Sequence, residues 1–216
     1  MSYPKKVVKL LKDNKLEEAV ELLLEAIEKE PKEPIHYVNM GTLLFQHQKY
    51  EEAERFFLQA IELDKKVATA HFGLANIYYE NDKLVEAEQA LKTCISLQLE
   101  DNDVYYLLGM IYVKREMPLF GLPFLQRATE LNEDERNLFQ YGLALAQTNH
   151  FKEAKDVFKK TLQINENHDD ALYNLAIIYI HENQFEKGFD LLNQVISINP
   201  NHVLAKNALD QFKNDR

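Results

Sequence analysis

A residue pattern that returns about every 34 positions governs what this chain can become. Gly41, Ala75, Gly109, Gly142 and Ala176 follow one another at steps of 34, 34, 33 and 34. A second small-residue track, Ala19, Ala53, Ala87, Gly121, Ala154 and Gly188, keeps the same spacing. Bulky residues fall between the small ones (Leu44, Tyr78, Tyr112, Leu145, Tyr179) and after them (Leu23, Phe57, Leu91, Leu125, Phe158, Leu192). A period of this length marks a stack of similar supersecondary units. One such unit cannot bury its own apolar faces, so neighbours must stack in a line.

Composition says which units. Six glycines and six prolines are few for a fold rich in tight turns, and abundant Leu, Ala, Glu, Lys and Gln favour helix. Each unit therefore reads as two helices, A and B, joined by a polar turn such as Glu80 to Lys83. The small tracks let A and B approach closely. Acidic pairs such as Glu17-Glu18 and Glu51-Glu52 open B helices, where negative charge complements the helix dipole.

These residues resemble the tetratricopeptide repeat, in which an aromatic, a Leu-Gly pair, a Tyr, an Ala, a Phe and a Pro hold fixed places. Tyr37, Met40-Gly41, Leu44, Ala53, Phe57 and Ala60 make the best single copy. The resemblance covers nearly the whole chain and is to a small stand-alone bacterial protein of this family. It implies an all-α, right-handed superhelical solenoid of six helix-turn-helix repeats forming one domain over 1–216. The repeats fall at 1–33, 34–67, 68–101, 102–134, 135–168 and 169–202, with a capping helix at 203–216. Val203, Leu204, Leu209 and Phe212 are expected to cover the end of repeat six, with Lys206, Asp210 and Lys213 in water. The first A helix opens near Pro4 and turns Lys5, Lys6, Lys9 and Lys12 outward. Repeat four departs from the pattern. It is one residue short, has Gly121 where Ala is usual, and carries Pro118 and Pro123. Pro118 suits a first helical turn. Pro123 is expected to remove a backbone hydrogen bond and bend the helix, either as a tolerated irregularity or to shape a binding groove.

Several function classes drop out. A formal net charge of -10 repels nucleic acid and anionic membrane surface. The longest apolar stretches, such as Leu175 to Ile180, are far too short to span a bilayer. The N-terminus becomes charged too early for a signal-peptide core, and the single Cys94 has no internal disulfide partner, so a cytoplasmic protein is expected. No G-x-G-x-x-G, P-loop or G-x-S-x-G occurs, so neither an enzyme nor a cofactor is expected. Cys94 takes the slot that Ala26, Ala60 and Ala128 hold in other units, and so reads as a core thiol. No two histidines sit at the i, i+4 spacing of a metal pair. His150, His168, His181 and His202 are expected to be solvated turn residues.

Function is left to the surface. The segment from Leu172 to Ile180 is apolar nearly all round, so it is either buried all round or offered to something. By resemblance, A helices line a concave inner wall. Residues four then three apart share a stripe. This gives Phe72, Asn76 and Tyr79 in one repeat, and Tyr106 and Met110 with Val113 in the next. Phe139, Leu143 and Ala146 follow, then Tyr173, Ile177 and Ile180, while Val38, Thr42 and Phe45 start the series. Asn39, Asn76 and Asn174 lie near the same wall and are placed to hydrogen-bond a ligand backbone. Two outcomes stay open: these side chains pack on neighbouring A helices, or they form an apolar, aromatic groove for a peptide or protein segment. Relatives that clamp acidic chaperone tails carry Lys and Asn where this chain has Pro4 and Val8, or Val38 and Thr42, so that mode is excluded. The expected function is a protein–protein interaction scaffold or adaptor. The alternatives are a self-associating structural protein, forming a homo-oligomer, or a non-catalytic subunit of an enzyme complex.

Overall fold

Alternating helix propensity and polar turns give a chain of helices and nothing else among the described residues. The computed structural model describes residues 3–13 and 15–214. Its helices are α1 (Tyr3–Lys12), α2 (Leu16–Lys29), α3 (Pro34–Gln46), α4 (Tyr50–Leu63), α5 (Ala68–Glu80) and α6 (Leu84–Ser96). There follow α7 (Asn102–Lys114), α8 (Pro118–Leu131), α9 (Glu135–Gln147), α10 (Phe151–Ile164), α11 (Asp169–His181), α12 (Phe185–Ile198) and α13 (Val203–Asn214). They fall into two compact units, Met1–Glu100 and Asp101–Arg216.

In both units the periodic tracks are the core. Leu23, Phe57, Leu91, Leu125, Phe158 and Leu192 are each at most 1% exposed. The small track explains why these large side chains fit. A Cβ on Gly41 would stand 2.8 Å from the Phe57 ring, and one on Gly73 only 2.3 Å from it. In the second unit a Cβ on Gly109 would meet Leu125 at 2.6 Å, and one on Gly142 would meet Phe158 at 2.8 Å. The A–B hairpins of repeats two, four and five thus close by setting a B-helix side chain into a notch on the A helix, and Gly73 gives Phe57 a second notch on the A helix that follows.

From repeat two onward the turns between A and B share one geometry. In repeat two, Gln48 has φ 59°. Its N–H donates to Phe45 O at 2.9 Å and the Lys49 N–H to Leu44 O at 2.9 Å, the paired bonds of a Schellman end. Asp82, Glu116, Asn149 and Asn183 repeat that positive φ in the later repeats. A side chain there is strained, so Gln48→Gly is expected to stabilise the first unit by about 1 kcal/mol. The check is a higher urea midpoint at unchanged slope.

Repeat four keeps its helix. α8 runs unbroken from Pro118 to Leu131, with Pro118 in its first turn and Pro123 inside it. Pro123 is the sixth residue, so the bond lost is the one to the Leu119 carbonyl, at an exposed position. Gly121 is needed because a Cβ there would lie 2.8 Å from the carbonyl oxygen of Gly109. Two facing glycines therefore set the α7–α8 approach.

The capping helix turns a different face inward from the one expected. Ala205 and Ala208 are buried with Leu172, Ala176, Leu192 and Val195, and Leu209 packs against them. Val203 and Leu204 are 65% and 56% exposed. The Phe212 side chain lies outside the described ones. The physical reason is register: 34 residues before Ala205 stands the buried Ala171, whereas Val203 and Leu204 correspond to the partly or fully exposed Asp169 and Asp170. Lys206 and Asp210 are exposed as expected. So are Lys6, Lys9 and Lys12 on α1, whereas the Lys5 side chain lies outside the described ones.

Candidate functional site

The predicted stripe divides between the two units. In the first, Phe72, Asn76 and Tyr79 on α5 are half-buried, as is Asn39 on α3. Val38 is not part of an open face. It is 6% exposed and belongs to the core formed with Ala70, Leu74 and Ile77, because a short β-branched side chain here is covered by the neighbouring repeat. The Asn76 amide donates to the Phe72 carbonyl at 2.9 Å, one turn back on its own helix. Its carboxamide oxygen remains as the group able to accept.

In the second unit the column is Tyr106, Phe139 and Tyr173, all half-buried. Each ring is braced by a residue at the start of the next A helix. The Arg136 guanidinium lies 4.2 Å from the Tyr106 centroid and is held by Asp103. The His168 ring sits 4.5 Å from Phe139, and the His202 ring 5.1 Å from Tyr173. Met110 and Leu143 continue the stripe half-buried, and Ile177 is 36% exposed. The Asn174 amide is spent on the Asp170 carbonyl at 2.8 Å. A cavity of about 540 Å³ opens beside Phe139, lined by Asp134, Glu135, Arg136, Gln140 and His168.

These histidines correct the expectation of solvated turns. His202 is 8% exposed and His168 half-buried. His168 is the N-cap of α11, its Nδ1 accepting the Ala171 N–H at 3.3 Å. His202 does the same ahead of α13, accepting from Ala205 N–H at 3.2 Å. With Nδ1 an acceptor, Nε2 carries the proton and faces Asp170 Oδ1 at 3.3 Å. The recurrence of His168 and His202 at a step of 34 was the signal in the sequence. Two histidines at one place in a repeat share one structural task, here capping a helix and backing an aromatic ring. His150 is exposed as expected, and so is His181, although its ring lies 4.6 Å from Phe151.

Polar ties between A and B helices back this wall. Asn165 Nδ2 donates to Glu135 Oε1 at 2.8 Å, and Asn199 Nδ2 to Asp169 Oδ2 at 2.7 Å. Lys155 bridges both oxygens of Glu182 at 2.7 and 2.6 Å. The Asn199 hydrogen bond holds the Asp169 carboxyl below its ordinary value, helped by backbone N–H groups and His202. A depressed folded value means this tie contributes fully above about pH 4, the unfolded carboxylate value, and is lost as pH falls through the folded one. Asn199→Ala is expected to move the Asp169 titration upward, measured from its side-chain carbonyl carbon by NMR.

Among the described residues no group of three or more His, Cys, Asp or Glu is placed to hold a metal. No helix there is long and apolar enough to cross a membrane. Stacked helical hairpins with a half-open aromatic face define a helical-repeat protein. The tetratricopeptide repeat profile matches residues 44–111 and 145–212, and a second profile of the same description matches 8–66. The chain belongs to the tetratricopeptide repeat family, whose members generally act as protein–protein interaction scaffolds. It is 35% identical to YrrB, described as a tetratricopeptide protein with an unusual peptide-binding site, over 88% of this chain and 99% of that one, with a TM-score of 0.81. PilF of Pseudomonas aeruginosa shares the fold at 15% identity and a TM-score of 0.82, covering 99% of this chain and 96% of its own. MamA does so at 17% identity and 0.70, covering 79% and 93%. A comparison with curated proteins finds no match.

Proposed function

We propose that this chain is an adaptor that takes a peptide or protein segment on its A-helix faces, mainly by apolar and aromatic contact, in the cytoplasm and without catalysis of its own. The observation that carries this is the half-buried state of Phe72, Tyr106, Phe139 and Tyr173. Rings braced from behind and open in front give contact area at little entropic cost, which is what binding hot spots need. The peptide-binding site named for YrrB supports the same use of the fold. In this view repeats 1–33 through 169–202 serve as one domain.

Affinity capture from native cytosol tests it, comparing the intact chain with a Phe72→Ala, Tyr106→Ala, Phe139→Ala variant shown by circular dichroism to be folded. A protein held by the first and lost by the second supports the proposal; identical capture by both refutes it. Self-association is a second reading, favoured by the exposed Val203 and Leu204 on α13. Light scattering decides it, since Val203→Lys with Leu204→Lys would then reduce the mass in solution.

A further inference from the structure

The cavity beside Phe139 joins two kinds of chemistry. The half-buried Phe139 ring gives it an apolar surface, and Asp134, Glu135, Arg136 and Gln140 give it a polar one. Arg136 is already engaged, by Asp103 and by the Tyr106 ring. The donors that hold the two carboxylates in place are neutral. Asp134 accepts from the Asn137 N–H at 2.8 Å and from the Asn132 amide at 2.8 Å. Glu135 accepts from the Asn165 amide, and His168 Nε2 stands 3.7 Å from it on a ring whose Nδ1 is an acceptor and therefore neutral. A neutral donor fixes a carboxylate and leaves its charge uncancelled.

The next A helix repeats the arrangement. Asp170, exposed and one turn before Tyr173, faces His202 Nε2, and Asp169 takes the Asn199 amide that holds its carboxyl ionised. Over 101–103, 134–136 and 168–170 six residues are Asp or Glu, and Arg136 is the one Lys or Arg among them. The helix dipole alone does not demand these acids, since α3 and α5 carry none in their first turns.

Charge then chooses the occupant. An aromatic ring beside two fixed carboxylates matches a side chain with an apolar stem and a cationic end, which is Lys or Arg. A purely apolar anchor would cover the carboxylates and offer them nothing. A second copy of this chain, at net charge -10, would bring the same sign to the rim.

We propose that the segment taken by the A-helix face of the second unit is basic, which rests on the reading of that face as a binding surface. A Lys or Arg of the partner lays its stem on Phe139 and turns its charge to Glu135 and Asp134. Apolar neighbours in the segment pack on Tyr106 and Tyr173, and a further basic residue faces Asp170.

The probe is a fluorescein-labelled nonapeptide alternating Lys and Leu around a central Phe, read by anisotropy against the full chain, with a Glu-for-Lys peptide as counterpart. Glu135→Gln with Asp170→Asn removes two rim charges and keeps the oxygens that accept from Asn165 and His202. Glu51→Gln with Glu52→Gln, at the exposed start of α4, removes as much charge away from this face. Circular dichroism verifies that each variant is folded. The expected result is saturable binding of the Lys peptide, weakened about tenfold by the rim variant, weakened also by Phe139→Ala, and unchanged by the α4 variant. Its salt dependence should flatten in the rim variant alone. No saturable binding, equal binding of the Glu peptide, or equal weakening by the two charge variants overturns the proposal. Full affinity in the rim variant with loss in Phe139→Ala overturns the basic partner and keeps the A-helix face. Loss in the rim variant with full affinity in Phe139→Ala overturns both.

Discussion

Replacing Phe57 by alanine is expected to cost about 3–5 kcal/mol, a large share of what a domain of this size has to lose. The ring is 1% exposed and lies in the notches of two successive A helices, at Gly41 and Gly73. Both notches are glycine, so neither has a side chain that can swing into the space left behind. Cavities that cannot collapse are the expensive kind. The same geometry predicts that Gly73→Ala is destabilising, since its Cβ would fall 2.3 Å from a ring with nowhere to go. Phe158→Ala is the matching change in the second unit, where the ring meets Gly142 and also Phe139 at 6.1 Å. Urea unfolding of the three variants gives the values. A loss below about 1 kcal/mol for Phe57→Ala would mean that the hairpins do not close on this side chain.

Cys94 is expected to react with a thiol reagent at pH 8 more than a thousandfold more slowly in the folded chain than in urea. Burial pushes its thiol up to about 12. At pH 8 that leaves a thiolate fraction on the order of one in ten thousand, against about a quarter for a free cysteine near 8.5. The sulfur is 0% exposed, and its S–H points to the Ala68 carbonyl at 3.4 Å, so access and ionisation act in the same direction. Labelling then reports opening of the unit rather than surface chemistry. Cys94→Ala should be close to silent, because Ala26, Ala60 and Ala128 fill the same slot at 1% exposure or less. Native-state labelling within tenfold of the unfolded rate would contradict the burial.

How far the sequence reached depends on what each residue's neighbours are. Phe57, Leu125 and Cys94 were legible because their partners recur at the same offset in every repeat, so the period itself names the contact. The period was also sufficient for α13, where continuing it from Ala171 points to Ala205. Side-chain size misled there, since the end of repeat six is closed by small residues that let the helix come near, and the larger Val203 and Leu204 fall on the exposed rim. For the stripe that Val38 heads, the pattern alone leaves both packing and an open groove; at Val38 packing wins, because its short side chain is covered by the next repeat. The braces behind the column were legible only in part. Arg136 over Tyr106, His168 against Phe139 and His202 against Tyr173 each join residues about 30 apart, and two of the three are histidines that recur at a step of 34. Arg136, where the brace changes chemistry, leaves no such periodic trace.

The measurement that tests the central claim most directly is the dissociation constant of the captured partner, by calorimetry, for the intact chain and for Leu143→Ala with Ile177→Ala. These two side chains lie on the A-helix face, half-buried and 36% exposed, so their truncation removes contact area with little loss of core. Ile164→Ala, on a B helix and 52% exposed, is the control. Weakening by at least about tenfold, 1.4 kcal/mol, in the A-face variant alone is the predicted result. An unchanged constant, or equal weakening by Ile164→Ala, would contradict the assignment of binding to the A-helix columns.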